Sequence, residues 1–463
     1  FFLGRAKVEF NHLMVVSFFL LVFIMRSYSS IVQNGQSLYI HLPFCRRRCY
    51  YCDFPISVVG DKSSSIASKT KSYIDLVFQE LENTAGSKDI KLMSCYLGGG
   101  TPSLASGEEI HRLLSRVRDT YSLTDNAEVT IEADPGTFNE EKLKEYCAAG
   151  VTRLSLGVQT FEEDELQAIG RSHSAQEALD AIELVAKFAD SGKLRHGWSL
   201  DIISGLPGQT LNSWQRTLEK TIQAQPWHVS AYDLQIQPGT AFGYWYGAAR
   251  PQLMNNEKIK FSSKLLPVLP TEDEAADLYI ETSRVLQKSG YEHYEISSYS
   301  RLGRSTHNAL YWQPGGTWLA LGLGATSAHA ITDAPYPVSQ KFSRPRTMSA
   351  YATYVAELRK NKTFPPQAST NITLEDALAE DLMTSLRTAA GLPLARVRSL
   401  AGPKHLKAIL RATEDARLND LAFIYHTPQP HARSSLRLSD PDGFLCSNYI
   451  IANIFAELGN LGR

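Results

Sequence analysis

Three cysteines, Cys45, Cys49 and Cys52, fall within eight residues in the run YIHLPFCRRRCYYCDF. The spacing C-x3-C-x2-C lets three thiolates meet one side of an iron–sulfur cube and leaves its fourth iron without a protein ligand, open to a small molecule. Zinc is the alternative occupant, but structural zinc takes four ligands, commonly from two C-x2-C-type pairs, and the sequence holds no second pair. Cys95, Cys147 and Cys446 stand singly and far apart. Arg46, Arg47 and Arg48 put positive charge beside the thiols, which favours thiolate and metal binding; a solvated basic turn would read the same way. Tyr50 and Tyr51 suit shielding of a cluster, stacking on an aromatic ligand, or plain packing.

Such a site needs a scaffold to hold it. From residue 37 onward, strand-like runs at 37–42, 93–97, 128–132, 153–159, 199–203 and 228–236 alternate with amphipathic stretches. Ile110, Leu113, Leu114 and Val117, for example, recur at helical spacing. This alternation predicts βα units around a parallel sheet, and six units predict an α/β fold, an open, partial (β/α)6 barrel. Functional groups in such sheets gather at the C-terminal strand ends. The cysteine loop follows the first run, Gly98-Gly99-Gly100-Thr101-Pro102-Ser103 the second, Glu132-Ala133-Asp134-Pro135 the third and Gln159 the fourth. Asp201 lies inside the fifth, ahead of a glycine-rich turn at 204–208. The glycine triplet lets backbone approach a ligand, or simply makes a tight turn; without G-K-[ST] it is no phosphate loop. Gly322-Leu323-Gly324-Ala325 is a weak dinucleotide signal, since no βαβ unit with a spaced acid surrounds it.

The 463 residues exceed one ordinary domain, and 43% hydrophobic with 21% charged residues describes a soluble globular chain. A net charge of −1 argues against a nucleic-acid partner, and clustered rather than paired cysteines point to a reducing, intracellular compartment. Residues 13–25, LMVVSFFLLVFIM, are apolar, but thirteen helical residues reach only about 20 Å against a hydrocarbon core of about 30 Å, so no stable membrane span is expected. Residues 1–36, beginning at Phe1, read as a leader outside the fold, either an organelle-targeting remnant or sequence upstream of a later start. Residues 37–300 are assigned to the barrel, with a surface loop or insertion at 247–270, a helix at 271–288 and a strand at 291–296. An extension with a linker follows at 301–370. A smaller C-terminal α+β domain, winged-helix-like, is expected at 371–463, opening with a capping arrangement of Thr373 and Asp376 and an apolar face of Leu378, Leu382 and Leu386.

Between residues 39 and 312 the chain carries, in order, Y-x-H-x-P-F-C-x3-C-x2-C, GGGTPS, IEADP, SLGVQTF, GRxH, DIISGLPGQT and HNxxYW. This resembles the radical S-adenosylmethionine proteins of the oxygen-independent coproporphyrinogen III oxidase-like family, and among them the HemW-type haem chaperones. The resemblance is strong from residue 37 to about 330, and looser over a C-terminal HemN-like domain. It implies a 4Fe-4S cluster held by Cys45, Cys49 and Cys52, with S-adenosylmethionine chelating the open iron through its amino and carboxylate groups. By motif position, Tyr39, Tyr51, Gly99, Gly100, Thr101, Glu132, Gln159, Arg171 and Asp201 would contact S-adenosylmethionine. The residue types agree: acids suit an ammonium and ribose hydroxyls, and an arginine fork suits a carboxylate, although Glu132 and Asp201 would also serve as structural acids at strand ends. In His307-Asn308-Ala309-Leu310-Tyr311-Trp312, His307 is the candidate haem ligand, and Tyr311 and Trp312 could pack on a porphyrin; a satisfied structural histidine is the competing reading. Implied partners are haem, recipient haemoproteins and an electron donor for the cluster. The implied compartment is the mitochondrion, with chloroplast or cytoplasm as alternatives.

Position 54 separates the readings that remain. The oxidases carry a further cysteine two residues after the third, where this chain has Phe54, and no longer N-terminal oxidase segment is expected ahead of Tyr39. Both departures favour a haem chaperone without coproporphyrinogen oxidase activity over the alternative, an enzyme that oxidatively decarboxylates coproporphyrinogen III. A zinc-stabilised barrel without redox chemistry is the third reading.

Overall fold

The computed structural model describes residues 36–84, 90–247, 259–261, 264–330, 338–361, 372–427 and 434–462. Residues 1–35 of the expected leader, with its apolar run at 13–25, lie outside them, while Gln36 already opens the first strand; parts of the 247–270 loop and of the linker before residue 372 lie outside as well. Within the former, Ile259–Phe261 pairs antiparallel with Lys264–Leu266.

All six expected strands form: β1 (Gln36–Leu42), β2 (Lys91–Gly99), β3 (Ser122–Ala133), β4 (Arg153–Gln159), β5 (Trp198–Ser204) and β6 (His228–Asp233). They are parallel neighbours in chain order. Every residue of β4 is buried, as expected of a strand covered on both faces. β6 ends at Asp233, short of the expected residue 236, because Leu234 N–H turns to donate to the Ser204 carbonyl at 2.9 Å.

The sheet is wider than the periodicity shows. β7 (Glu292–Glu295) and β8 (Ser298–Ser300) add an antiparallel hairpin beside β6. At the other edge β9 (Trp318–Leu321) pairs parallel with β1, followed by antiparallel β10 (Thr326–Ala330) and β11 (Ser339–Ser343). The eleven strands run β7-β8-β6-β5-β4-β3-β2-β1-β9-β10-β11. The parallel part therefore has seven strands. β9 is only four residues long and is flanked by glycines, so its sequence reads as turn. Gly322 (φ 97°) and Gly324 (φ 67°) make the bend into β10, and Gly322 N–H donates to buried Glu80 at 2.8 Å.

Tyr39 of β1, Glu132 of β3, Asp201 of β5, Ser298 of β8 and Trp318 of β9 all line one cavity. Eight flat strands at about 4.8 Å spacing would hold the outer members more than 30 Å apart, so the sheet must curl around this space. Capping boxes at Ser106/Glu109, Ser174/Glu177, Thr210/Ser213 and Thr271/Glu274 fix where the outer helices begin.

The C-terminal part begins with helix Leu374–Ser385, capped by Thr373 and Asp376 as expected. A short strand, Leu392–Pro393, leads into helix Leu394–Ala412, broken at Gly402 (φ 81°) before Pro403. Strands Ala422–His426 and Ser434–Leu438 close a three-stranded sheet with Ser434–Leu438 in the middle. The succession helix, strand, two helices, two strands is that of a winged helix. Leu382, Leu386, Val397, Ile409, Leu436 and Ile454 form its own core. Asp440 ties it to the barrel, accepting from Ser283 Oγ at 2.7 Å and meeting His293 Nδ1 at 2.8 Å.

Candidate functional site

The cysteine loop leaves β1 through Phe44–Cys45, which pairs with Ser57–Val58. Gly100 N–H donates to the Leu42 carbonyl at 2.9 Å and Thr101 N–H to that of Phe44 at 2.8 Å. A Cβ on Gly100 would sit 2.7 Å from the Phe44 carbonyl oxygen, and one on Gly99 2.5 Å from the His41 ring. The close approach these glycines permit is thus made first to the protein's own chain, clamping the end of β2 onto the cysteine loop. Of the three loop arginines, Arg48 is a brace, donating to the carbonyls of Cys52, Phe54 and Ile56 at 3.1–3.3 Å.

A cation that hydrogen-bonds a thiol comes from elsewhere. Arg171 Nη1 donates to Cys49 Sγ at 3.5 Å, while Nη2 donates to Asp134 Oδ1 at 2.5 Å and to the Gly157 carbonyl at 2.7 Å. Its fork is therefore already engaged, unlike the free carboxylate clamp expected from residue type. Thr101 Oγ1 lies 3.6 Å from Cys45 Sγ and 3.1 Å from Asp134 Oδ2. All three thiols are free and partly buried. Burial pushes Cys45 up to about 12 and also raises Cys52, with neighbouring thiols adding to both. Thiols so placed stay protonated until a cation displaces the protons, which suits a metal-loaded site. Among the described residues no three His, Cys, Asp or Glu side chains are grouped as a single ion would need; a cube offers each thiol a separate iron corner.

Above the loop opens a cavity of about 820 Å³, and Cys45, Cys49, Cys52, Tyr39, Tyr51, Gly99, Gly100, Thr101, Glu132, Gln159, Arg171, Asp201 and His307 all stand on its wall. Glu132 accepts from Gly99 N–H at 2.8 Å and from Tyr96 OH at 2.9 Å. Burial pushes its carboxyl up to about 7, and the charges of Asp201 and Asp134 add to the rise. Burial also raises Asp201, against the hydroxyls of Ser230 and Ser155, the latter at 2.9 Å. Gln159 holds φ 70° at the end of β4, a left-handed conformation that non-glycine residues adopt rarely and often at functional positions. Tyr39 OH meets His41 Nδ1 at 3.0 Å, and His41 Nε2 meets the Pro55 carbonyl at 2.9 Å. Tyr50 packs against Trp245, ring centres 4.8 Å apart, which accounts for it structurally.

The HNxxYW motif forms the short helix Thr306–Tyr311. Glu128 holds its start, accepting from Ser305 Oγ, Thr306 N–H and His307 N–H at 3.0, 2.9 and 3.1 Å. Burial opposes ionisation of Glu128, but Arg153 and these N–H groups outweigh it and lower its pKa. His307 is 3% exposed; Nδ1 meets Ser94 Oγ at 2.9 Å and Nε2 meets Tyr311 OH at 3.2 Å. Burial lowers its pKa to about 4, so the ring is neutral at pH 7. Asn308 Nδ2 donates to Tyr294 OH at 2.9 Å and Ser298 Oγ at 3.2 Å. Of the motif's aromatics Tyr311 lines the cavity, and Trp318, outside the motif, stands on the wall beside it with ring centres 4.6 Å apart. Sequence reasoning passed over Asp134 and His41, although both sit inside quoted motifs, and Tyr96, Glu128 and Arg153, which no motif marks.

Three comparisons with known proteins bear on this site. Residues 39–221 match the model of the radical SAM superfamily. Over 91% of its length the chain is 34% identical to 96% of a Synechocystis sp. protein named Heme chaperone HemW, and over 85% it is 30% identical to 96% of the protein of that name from Bacillus subtilis. A Danio rerio protein, radical S-adenosyl methionine domain-containing protein 1, mitochondrial, is 34% identical over 62% of this chain and 59% of its own. Among solved structures, the Escherichia coli coproporphyrinogen III oxidase HemN superposes with a TM-score of 0.67 at 20% identity, covering 91% of this chain and 90% of that one.

Proposed function

Because this chain belongs to the HemW family of radical S-adenosylmethionine proteins, we propose that it is a haem chaperone, which binds haem and passes it to a recipient haemoprotein. The observation that carries this reading is the nearly full-length similarity to proteins named for that role. Phe54 supports it. Where the oxidases place a further cysteine this side chain is 60% exposed, at the cavity wall. The likeness to HemN speaks to the fold alone.

Cys45, Cys49 and Cys52 would hold the 4Fe-4S cluster, which supplies one-electron reducing power to bound S-adenosylmethionine. Around it, Arg171 fixes positive charge beside Cys49 and orders Asp134. Glu132, once ionised, and Asp201 suit the ammonium and the ribose hydroxyls, while Gly99, Gly100 and Thr101 bring backbone to the ligand. Tyr39, Tyr51 and Gln159 complete the pocket wall. For haem, His307 is the proposed ligand through Nε2: with Nδ1–H donated to Ser94, the Nε2 lone pair faces Tyr311 OH, which must yield to iron. An electron donor reduces the cluster. The mitochondrion is the proposed compartment, in line with the name of the Danio rerio relative; among the described residues no helix is long and apolar enough to cross a membrane.

The test is anaerobic reconstitution with iron, sulfide and S-adenosylmethionine, followed by haem titration and transfer to an apo-haemoprotein. The protein should bind haem and release it to the acceptor, and leave coproporphyrinogen III unchanged. Formation of protoporphyrinogen IX would replace the chaperone reading with the oxidase one.

A further inference from the structure

We propose that the deep end of the cavity is a carboxylate-binding subsite built on Arg153 and His228 and, resting on the haem reading above, that it takes a propionate of the bound tetrapyrrole.

Arg153 opens β4. It lies in one row across the sheet with Thr130, Tyr96 and Tyr39. Gly99 is three residues further along β2 than Tyr96, so this row lies about 10 Å below the strand ends where the cysteines and the glycine loop sit. His228 is two residues further up, level with Glu132, Ser155 and Ser199. Both residues line the cavity, yet Arg153 is 4% exposed and His228 3%.

Each has an unmet polar atom. Arg153 Nη2 and His228 Nδ1 are buried without a hydrogen-bond partner. His228 Nε2 meets Tyr294 OH at 2.8 Å, and burial together with the Arg153 charge keeps the imidazole neutral. With Nε2 accepting from the tyrosine, Nδ1–H is a free donor. A guanidinium nitrogen buried and unpaired is costly, and native structures keep such groups for a reason. Glu128, the acid that feels Arg153 most clearly, has both oxygens occupied by the start of the motif helix.

The fork of an arginine matches carboxylate and phosphate alike. The ionised Glu128 close by, and Asp201 within electrostatic reach of Arg153, would repel a dianion and so favour a monoanionic carboxylate. S-adenosylmethionine carries one, but apart from Tyr39, which shares this row, its expected contacts on the sheet lie two to six residues higher. Haem carries two, on flexible arms beside the ring that the motif helix is proposed to meet.

The experiment titrates reconstituted protein, wild type and Arg153→Gln, with haem, with haem dimethyl ester and with S-adenosylmethionine. Saturation-transfer NMR with sodium propionate is run beside it. Wild type should bind haem roughly ten- to hundredfold more tightly than the ester, the margin of a charge-assisted hydrogen bond. Arg153→Gln should erase that preference and leave S-adenosylmethionine affinity unchanged. Weakened S-adenosylmethionine binding with an intact haem preference would reassign Arg153 to that ligand and overturn the proposal. Equal wild-type affinity for haem and ester would also overturn it, without need of a variant. The propionate signal separates the two readings: a signal lost in Arg153→Gln but not displaced by haem keeps the subsite and defeats the haem reading, whereas no Arg153-dependent signal defeats the subsite. Should Arg153→Gln not fold, Arg153→Lys keeps the charge but not the fork, and should lose most of the preference.

Discussion

Tyr96 touches both ends of the cavity: its hydroxyl donates to Glu132 Oε1 at 2.9 Å, and its ring lies on that of His307 with centres 4.8 Å apart and planes 26° from parallel. Ser94, two residues back on the same strand face, holds His307 Nδ1. One strand therefore carries the supports of both a proposed S-adenosylmethionine contact and a proposed haem ligand.

Tyr96→Phe keeps the ring stack and removes only the hydrogen bond to Glu132. That bond stabilises the carboxylate, so its loss should raise the Glu132 pKa further and weaken S-adenosylmethionine binding at pH 7 about three- to tenfold. Affinity measured from pH 6 to 8 should show the variant's curve displaced to higher pH. An undisplaced curve would mean that Glu132 does not bind the ligand as a carboxylate.

Glu132 also predicts how stability follows pH in the cluster-free chain. Its carboxyl is raised from an ordinary 4.5 to about 7, so its favourable contribution is complete below pH 4.5 and is lost as pH rises through 7. The loss amounts to roughly 2–4 kcal/mol. The buried imidazoles of His41, His173 and His307, lowered to about 4, act in the opposite sense and lose stability as pH falls from 6.5 toward 4. Urea unfolding of wild type and Glu132→Gln isolates the carboxyl: the variant should gain relative stability between pH 5 and 8. Parallel curves would place the titration elsewhere.

The Arg171–Asp134 pair, at 2.5 Å and largely buried, should behave as a unit. Removing one member leaves the other charge stranded, a loss of about 3–5 kcal/mol, while removing both costs much less. Thermal unfolding of Arg171→Gln, Asp134→Asn and the double variant measures the coupling. All three should also take up less iron and sulfide, since Arg171 is the cation at Cys49; full cluster loading in Arg171→Gln would count against that role.

Which parts of this were readable in the sequence follows from what fixes each part. β1 to β6 are runs covered on both faces, so local composition nearly determines them, and motif order placed the cysteines, Glu132, Gln159 and Asp201 at or near their C-terminal ends. β9 was hidden because four residues between glycines carry no periodicity; only the exposed edge of β1 selects it. Pairings across long separations were hidden for a different reason. Arg171 meets Asp134 across 37 residues and Glu128 meets the Thr306 amide across 178, and nothing local in either segment requires its partner. Hence the sequence presents Arg171 as a free fork and leaves His307 open between haem ligand and satisfied structural histidine, when each is already held by neighbours that only the folded sheet supplies.

Those neighbours allow the haem assignment to be tested in two directions. If His307 Nε2 ligates iron, Tyr311 OH, 3.2 Å away, competes with the metal for the same lone pair. Tyr311→Phe should therefore leave the Soret band in place and hold or improve haem affinity. His307→Ala should shift the band, and should also destabilise the fold by roughly 2–4 kcal/mol, because it opens a cavity and leaves Ser94 unpaired. Ser94→Ala should lie between, since the ligand survives but its ring loses the bond that orients it. A Soret band identical in wild type and His307→Ala would move the ligand elsewhere and leave His307 as the residue that seats the motif helix on β2.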